Sequence, residues 1–196
     1  MLKKTTTTPK AVDLGLPSGT LWADRNLGAE SVTDYGDYYM WGSTEPDTDN
    51  PCDWEHGPFN GGFSRYNSDM VEIIRKESFH NGILSDQYDA AHVQVGGNWH
   101  MPTMEQFHEL IDYTDSEWTS FEGIRGRKLT SRYNDHSIFI PASGYRSFLS
   151  VYDVGLYAHL RSSTLYSRSP ICAPHLYFYS GNCATNFRGL CIRPVC

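Results

Sequence analysis

A chain of 196 residues is long enough to bury one core without disulfide or metal support. Its net charge of −7 excludes nucleic-acid binding by bulk electrostatics, and no apolar run approaches the roughly 20 residues that a membrane-spanning helix needs. Aromatic residues make up 14%, with 13 Tyr and 5 Trp, which fits either a β-rich core or a surface built for contact.

The opening, Met1-Leu2-Lys3-Lys4 and then Thr5 to Thr8, is basic and then polar. Lacking an apolar stretch, it does not read as a signal peptide. Residues 1–10 are expected to form a flexible lead and residues 11–196 a single domain. From Val12 to Ala23, apolar residues at 12, 14 and 16, and again at 21 and 23, flank Pro17-Ser18-Gly19. That pattern predicts two short strands joined by a turn. An aromatic block follows, Tyr35-Gly36-Asp37-Tyr38-Tyr39-Met40-Trp41-Gly42. Residues 43–68, rich in Gly, Pro, Asp, Asn and Ser, read as a long loop. Residues 69–78 and 86–94 are weaker helix candidates. The strongest helix starts at Thr103, where Gln106 three positions on makes a capping box. Met104, Phe107, Leu110 and Ile111 then give one apolar stripe. From Ser137-Ile138-Phe139-Ile140-Pro141 onward the chain reads as short strands.

Catalytic signatures are missing. His100 and His108 flank the capped helix without HExxH or paired-ligand spacing, and no GxSxG elbow supports a triad. Gly96-Gly97-Asn98-Trp99 lacks the Lys-Ser/Thr of a phosphate loop. Glu45-Pro46-Asp47 resembles a calcium-lectin triplet, but its Trp-Asn-Asp partner is absent; Tyr133-Asn134-Asp135 is the nearest text. The five cysteines, 52, 172, 183, 191 and 196, are odd in number and contain no CxxC pair, so they cannot all pair within one chain. No catalytic residue, metal ligand or cofactor is expected.

The tail differs from the rest. Residues 157–196 contain no Glu, Lys, Gln, Met or Trp, and no Asp. The first five types occur 27 times in residues 1–156, a rate at which 40 residues would hold roughly seven. Four arginines, 161, 168, 188 and 193, make the tail +4, against −11 (12 basic, 23 acidic) before it. In His175-Leu176-Tyr177-Phe178-Tyr179, strict alternation predicts His175, Tyr177 and Tyr179 outward, like a paratope, and Leu176 and Phe178 in the core. An ordinary half-buried strand has the same pattern.

Several blocks together resemble one family. They are Val12 to Ala23, Tyr35 to Gly42, Asp89-Ala90-Ala91-His92, Gly96 to Thr103, Ser137 to Arg146 and Gly189-Leu190-Cys191-Ile192-Arg193-Pro194-Val195. Spanning roughly residues 11–195, they resemble the Fibrobacter succinogenes major paralogous domain, found in gut Bacteroidetes and their phages. The resemblance implies an α+β, C-type-lectin-like fold of the formylglycine-generating-enzyme-like branch, with two helices, a mainly antiparallel sheet and paired terminal strands. Some members of this fold are variable proteins of diversity-generating retroelements, in which adenines of a C-terminal repeat are rewritten. An Asn codon changed at its first two bases never yields Glu, Lys, Gln, Met or Trp, the five types missing here. Asp is permitted, so its absence has no such explanation. Where the family has an aromatic-Trp-Ser-Ser stretch, this chain has Leu160-Arg161-Ser162-Ser163.

On that basis residues 157–195 are the expected variable region. The expected ligand-binding positions are Ala158, His159, Arg161, Tyr166, Arg168, Ile171, Cys172, His175, Tyr177, Tyr179, Cys183, Thr185, Phe187, Arg188 and Leu190, forming one largely exposed patch. The expected partner is a protein or glycan on a cell surface, with no nucleic acid and no membrane insertion, and the expected location is a cell surface or virion. A non-diversified surface or adhesion module, a formylglycine-generating-type enzyme and a calcium-dependent lectin are the alternatives.

Overall fold

The end of the chain is the spine on which the other elements are hung. In the computed structural model, which describes residues 8–48, 51–53, 79–165, 172–177, 182–185 and 188–196, strands β1 (Ala11–Asp13) and β2 (Leu21–Ala23) pair antiparallel, with Val12 opposite Trp22. Gly19 N–H closes the predicted turn on Leu16 O. The other edge of β2 takes the C-terminus: Leu21 and Cys196 exchange backbone hydrogen bonds, and Val195 bridges both Trp22 and His100. Moving back along the tail, Ile192 O accepts from Leu27 N–H, Leu190 pairs with Tyr39, Cys191 bridges Leu160, and Gly189 bridges Arg146.

Arg193 locks this spine. Its side chain is fully buried, and its three nitrogens donate to Asn26 Oδ1 (2.9 Å), Ala23 O (3.1 Å) and Phe139 O (2.8 Å). A planar guanidinium spreads its donors over three nitrogens and so spans three separated acceptors, whereas the three donors of an ammonium radiate from a single nitrogen. Burial pulls its pKa down to about 9, below the usual arginine range but still above neutrality.

Two helices are described besides a 3-10 turn at Asp86–Tyr88: α1 (Ala90–Val95) and α2 (Met104–Tyr113). Asp89 caps α1 through His92 N–H, and its carboxylate also accepts from Met101 N–H at 2.8 Å. Thr103 and Gln106 make the predicted reciprocal cap of α2, and Phe107 and Leu110 are fully buried. Ile111 was expected in the same stripe but is 37% exposed, because at 100° per residue it lies a quarter-turn from Leu110. His108 points to solvent from the outer side of α2. Residues 69–78, the other helix candidate, lie outside the described residues, as do residues 1–7 of the lead and most of the 43–68 loop.

The helix α2 runs directly into β5 (Thr114–Phe121), which forms an antiparallel three-stranded sheet with β6 (Ile124–Ser131) and β7 (Ser137–Pro141). Leu129, Ile138 and Ile140 from this sheet meet Trp22, Phe107, Leu110, Leu160 and Leu176 in one buried cluster. A second cluster joins Tyr39 and Trp41 to Ala90, Ala91, Ala173 and Ile192. Two further strand pairs, β3 (Phe79–His80) with β4 (Ile83–Leu84) and β8 (Tyr145–Ser147) with β9 (Ser150–Tyr152), precede the sheet of β10 (His159–Arg161), β11 (Cys172–Tyr177) and β12 (Asn182–Thr185). The described architecture is thus α+β, with few helices and antiparallel sheets, and among the described residues no helix is long and apolar enough to cross a membrane.

Candidate functional site

The sheet of the tail carries an aromatic face at one end. In the β10–β11 register, His159 stands opposite Tyr177, Leu160 opposite Leu176 and Arg161 opposite His175. Side chains alternate along a strand, so Leu160 and Leu176 share one face and the other four share the opposite face. Leu160 and Leu176 enter the main core, as the alternation predicts.

The opposite face is graded rather than uniformly open. At its outer end the His159 and Tyr177 rings stack, with centroids 4.7 Å apart and planes 9° from parallel. Tyr157 meets Tyr177 edge-on at 5.4 Å, and Tyr145 meets His159 edge-on at 5.7 Å. Tyr152 stacks on Tyr145 across the β8–β9 hairpin, and the Arg188 guanidinium lies 4.5 Å above the Tyr145 ring. The result is a run of half-buried rings ending in the exposed Tyr152, with one cation in attractive contact. Beside it, Phe148, Leu149, Val151, Val154 and Leu156 are exposed apolar side chains in a single nine-residue stretch. Gly144 sets the hairpin at this place. Its φ is +64°, and a Cβ there would run into the Tyr152 carbonyl oxygen.

At its inner end the same face is covered. Ala173 packs with Tyr39 and Trp41, and Trp41 Nε1–H donates to Ser162 O at 2.9 Å. Arg161 is 0% exposed and donates to Arg188 O. His175 is 4% exposed, with its Nε2 3.2 Å from His159 Nδ1. Burial pushes the His159 pKa down to about 4.

Several expected binding positions therefore need correction. Ala158, Arg161, His175 and Leu190 are buried, not exposed. Ala158 and His159 are adjacent in an extended segment and cannot both face outward. Leu190 is held between backbone hydrogen bonds to Tyr39. Arg161 and His175 lie on the intended face but are buried at its inner end. His159, Tyr177 and Arg188 are half-buried and come together. Cys172, Cys183 and Thr185 lie on β11 and β12, with Cys172 opposite Thr185 and Cys183 opposite Pro174. Tyr166, Arg168, Ile171, Tyr179 and Phe187, with the core candidate Phe178, lie outside the described residues.

Tyr145, Tyr152 and Tyr157 join the site although the sequence reading did not select them as ligand-binding. The equal spacing of Tyr145 and Tyr152 about the Phe148-Leu149 turn was the available signal, since a two-residue hairpin puts them in cross-strand register. The calcium-triplet resemblance finds no counterpart in the fold. Asp47 is buried, and its Oδ2 accepts from Met40 N–H at 2.5 Å, while burial pushes its pKa up to about 6. Asn134 instead braces the β6–β7 connection, donating to Asp13 O.

One other group of side chains was not anticipated. Asp86, His92 and His100 bring one donor atom each within 4.8 Å of one another. Comparison with known protein families, with curated proteins and with solved structures finds no match to this chain.

Proposed function

We propose that this chain is a ligand-binding protein with a C-type-lectin-like fold of the formylglycine-generating-enzyme-like branch, whose C-terminal face is diversified by a retroelement while the scaffold stays fixed. The observation that carries this reading is the joint absence of Glu, Lys, Gln, Met and Trp from residues 157–196, the segment that supplies β10, β11 and β12. The tail pairing with β2 near the N-terminal end supports the fold reading, since paired terminal strands belong to that architecture. The ring face of His159 and Tyr177, with Arg188 beside it, supports a contact surface rather than a reaction centre: aromatic rings and an arginine give large contact area at low entropic cost.

The described part of the diversified set is His159, Tyr177 and Arg188, flanked by Tyr145, Tyr152 and Tyr157, with Cys172, Cys183 and Thr185 on the adjoining strands β11 and β12. Ala158, Arg161, His175 and Leu190 belong to the scaffold that holds them. The exposed apolar run from Phe148 to Leu156 is a rim that either a protein or a glycan partner on a cell surface would cover. The chain acts at a cell surface or on a virion and carries no catalytic role in this reading.

A Tyr177→Ser, Arg188→Ser double variant tests the site, since Ser is among the residues the rewriting can produce. Wild-type and variant chains are applied to arrays of bacterial surface glycans and proteins. The expected result is loss of at least tenfold in binding to the wild-type ligand, with the melting temperature little changed. A ligand held equally well by both would place the site elsewhere.

A further inference from the structure

We propose that Asp86, His92 and His100 form a divalent transition-metal site of the zinc type, on the side of the fold that carries α1 rather than on the aromatic face. Zinc takes imidazole nitrogens and carboxylate oxygens, and two His with one Asp leave a fourth position for water or for a ligand's own donor. In the structure His92 Nε2 and His100 Nδ1 each lie 3.9 Å from an Asp86 carboxylate oxygen, one on each oxygen. The two imidazoles stack, with centroids 4.8 Å apart and planes 12° from parallel. In a filled tetrahedral site with metal–donor distances of about 2.0–2.1 Å, donors sit about 3.3 Å apart. The two Asp–His separations must therefore close by about 0.6 Å and the widest donor pair, within 4.8 Å, by up to about 1.5 Å, and one ring must swivel so that both lone pairs meet.

The side chains can make that adjustment and the backbone does not have to. The Asp86 side chain is 72% exposed, that of His100 43% and that of His92 30%, so all three have room to turn. Their main chains are held in place by buried Asp89. Its carboxylate accepts from His92 N–H at the start of α1 and from Met101 N–H next to His100, fixing the two histidine-bearing segments relative to each other. His100 is pinned again by reciprocal backbone hydrogen bonds with Val195, both 2.9 Å. Asp89 Oδ2 lies 3.8 Å from the same His100 Nδ1, beyond hydrogen-bond reach, so it adds negative charge beside the site without tying up the donor nitrogen. Asp86 and His100 line a cleft of about 750 Å³ that also reaches Asn81, Gln87, Asn98 and Cys196, so an ion here is open to a further ligand. Two imidazoles and one carboxylate carry less negative charge than an acidic cluster, which favours zinc over calcium.

The experiment is zinc titration of the tag-free, full-length chain after chelator treatment, read both by calorimetry and by the ring resonances of nitrogen-labelled histidine. All chains carry Cys196→Ser, so that this exposed thiol cannot contribute. The expected result is one equivalent of zinc bound, with His92 and His100 resonances shifted and those of His108 and His136 left in place. Asp86→Ala, at an exposed side chain that folding does not need, weakens binding at least tenfold, and so does His92→Gln. Absence of stoichiometric binding, equal shifts at all four histidines, or unchanged affinity in Asp86→Ala would each overturn the site. The aromatic face is untouched by these variants, so this result stands or falls apart from the proposed function.

Discussion

The His159 imidazole lies flat against the ring of Tyr177, 4.7 Å away and 9° from parallel, and reaches His175 Nε2 through its own Nδ1 at 3.2 Å. Two imidazoles at that separation share one N–H, which suits the neutral forms. Burial lowers the His159 pKa from 6.5 to about 4; Asp153 opposes the shift, and Arg188 and Arg161 add to it. A lowered histidine pKa means that between about 6.5 and 4 the unfolded chain binds a proton that the folded chain refuses. Stability from this group is complete above 6.5 and is lost as the pH falls toward 4. The wild-type melting temperature should therefore fall more between pH 7 and pH 5 than that of His159→Phe, which keeps the stack and loses the titration. Parallel curves for the two chains would mean that His159 titrates normally.

The two faces of β10 predict opposite mutational costs. Leu160 is fully buried among Phe107, Ile140 and Leu176, so Leu160→Ala should cost about 2–5 kcal/mol of folding free energy. Tyr177→Ser, at the half-buried outer end, should cost less than half of that, because no cavity is closed off in the core. Urea titration of both variants measures the difference. Equal losses would mean that the aromatic face is core and not surface.

Arg193 should not tolerate lysine. The ammonium cannot reach Asn26 Oδ1, Ala23 O and Phe139 O together, and each buried acceptor left alone is costly. Arg193→Lys is expected to lose about 2–4 kcal/mol by urea titration, with an unchanged slope. A loss below 1 kcal/mol, about the worth of one ordinary hydrogen bond, would show that the fork is not holding the spine.

Cys172 and Cys183 stand two positions out of direct opposition in the β11–β12 register. Neither is expected to be needed as a structural cross-link. Replacing both with Ser should shift the melting temperature by only a few degrees, whereas loss of a native disulfide typically costs about 2–5 kcal/mol. A large loss from either single replacement, no greater in the double, would reveal a bond between them.

What could be read from the sequence was whatever local chemistry decides. The Thr103–Gln106 cap, the β1–β2 turn and the Ser137–Pro141 strand depend on residues within a few positions of each other, and all three are present. The inward turn of Leu176 was legible for the same reason. Exposure of His175 and Arg161 was not, because alternation says which face a side chain takes but not what covers that face. The Tyr39–Trp41 segment that clusters with Ala173 on that face is more than a hundred residues away in the chain. The convergence of His92 with His100 was equally hidden. Their eight-residue spacing matches no ligand motif, and the Asp89 clamp across the Gly96-Gly97 turn, with the Val195 pairing of His100, brings them side by side.

The central claim is that the C-terminal face is rewritten while its scaffold is kept, and the DNA around the gene tests it most directly. Sequencing the locus should reveal a near-copy of the segment encoding residues 157–195 beside a reverse-transcriptase gene. Differences between the copies should fall at adenines of the template. They should be dense at codons 159, 177 and 188 and absent at Leu160, Leu176 and Ile192, whose side chains are buried. Substitutions at surface positions usually change stability by only about ±0.5 kcal/mol, so such variation leaves folding intact. Finding no such copy, or differences scattered over all four bases and over the buried leucines alike, would contradict the account and leave a fixed surface module in its place.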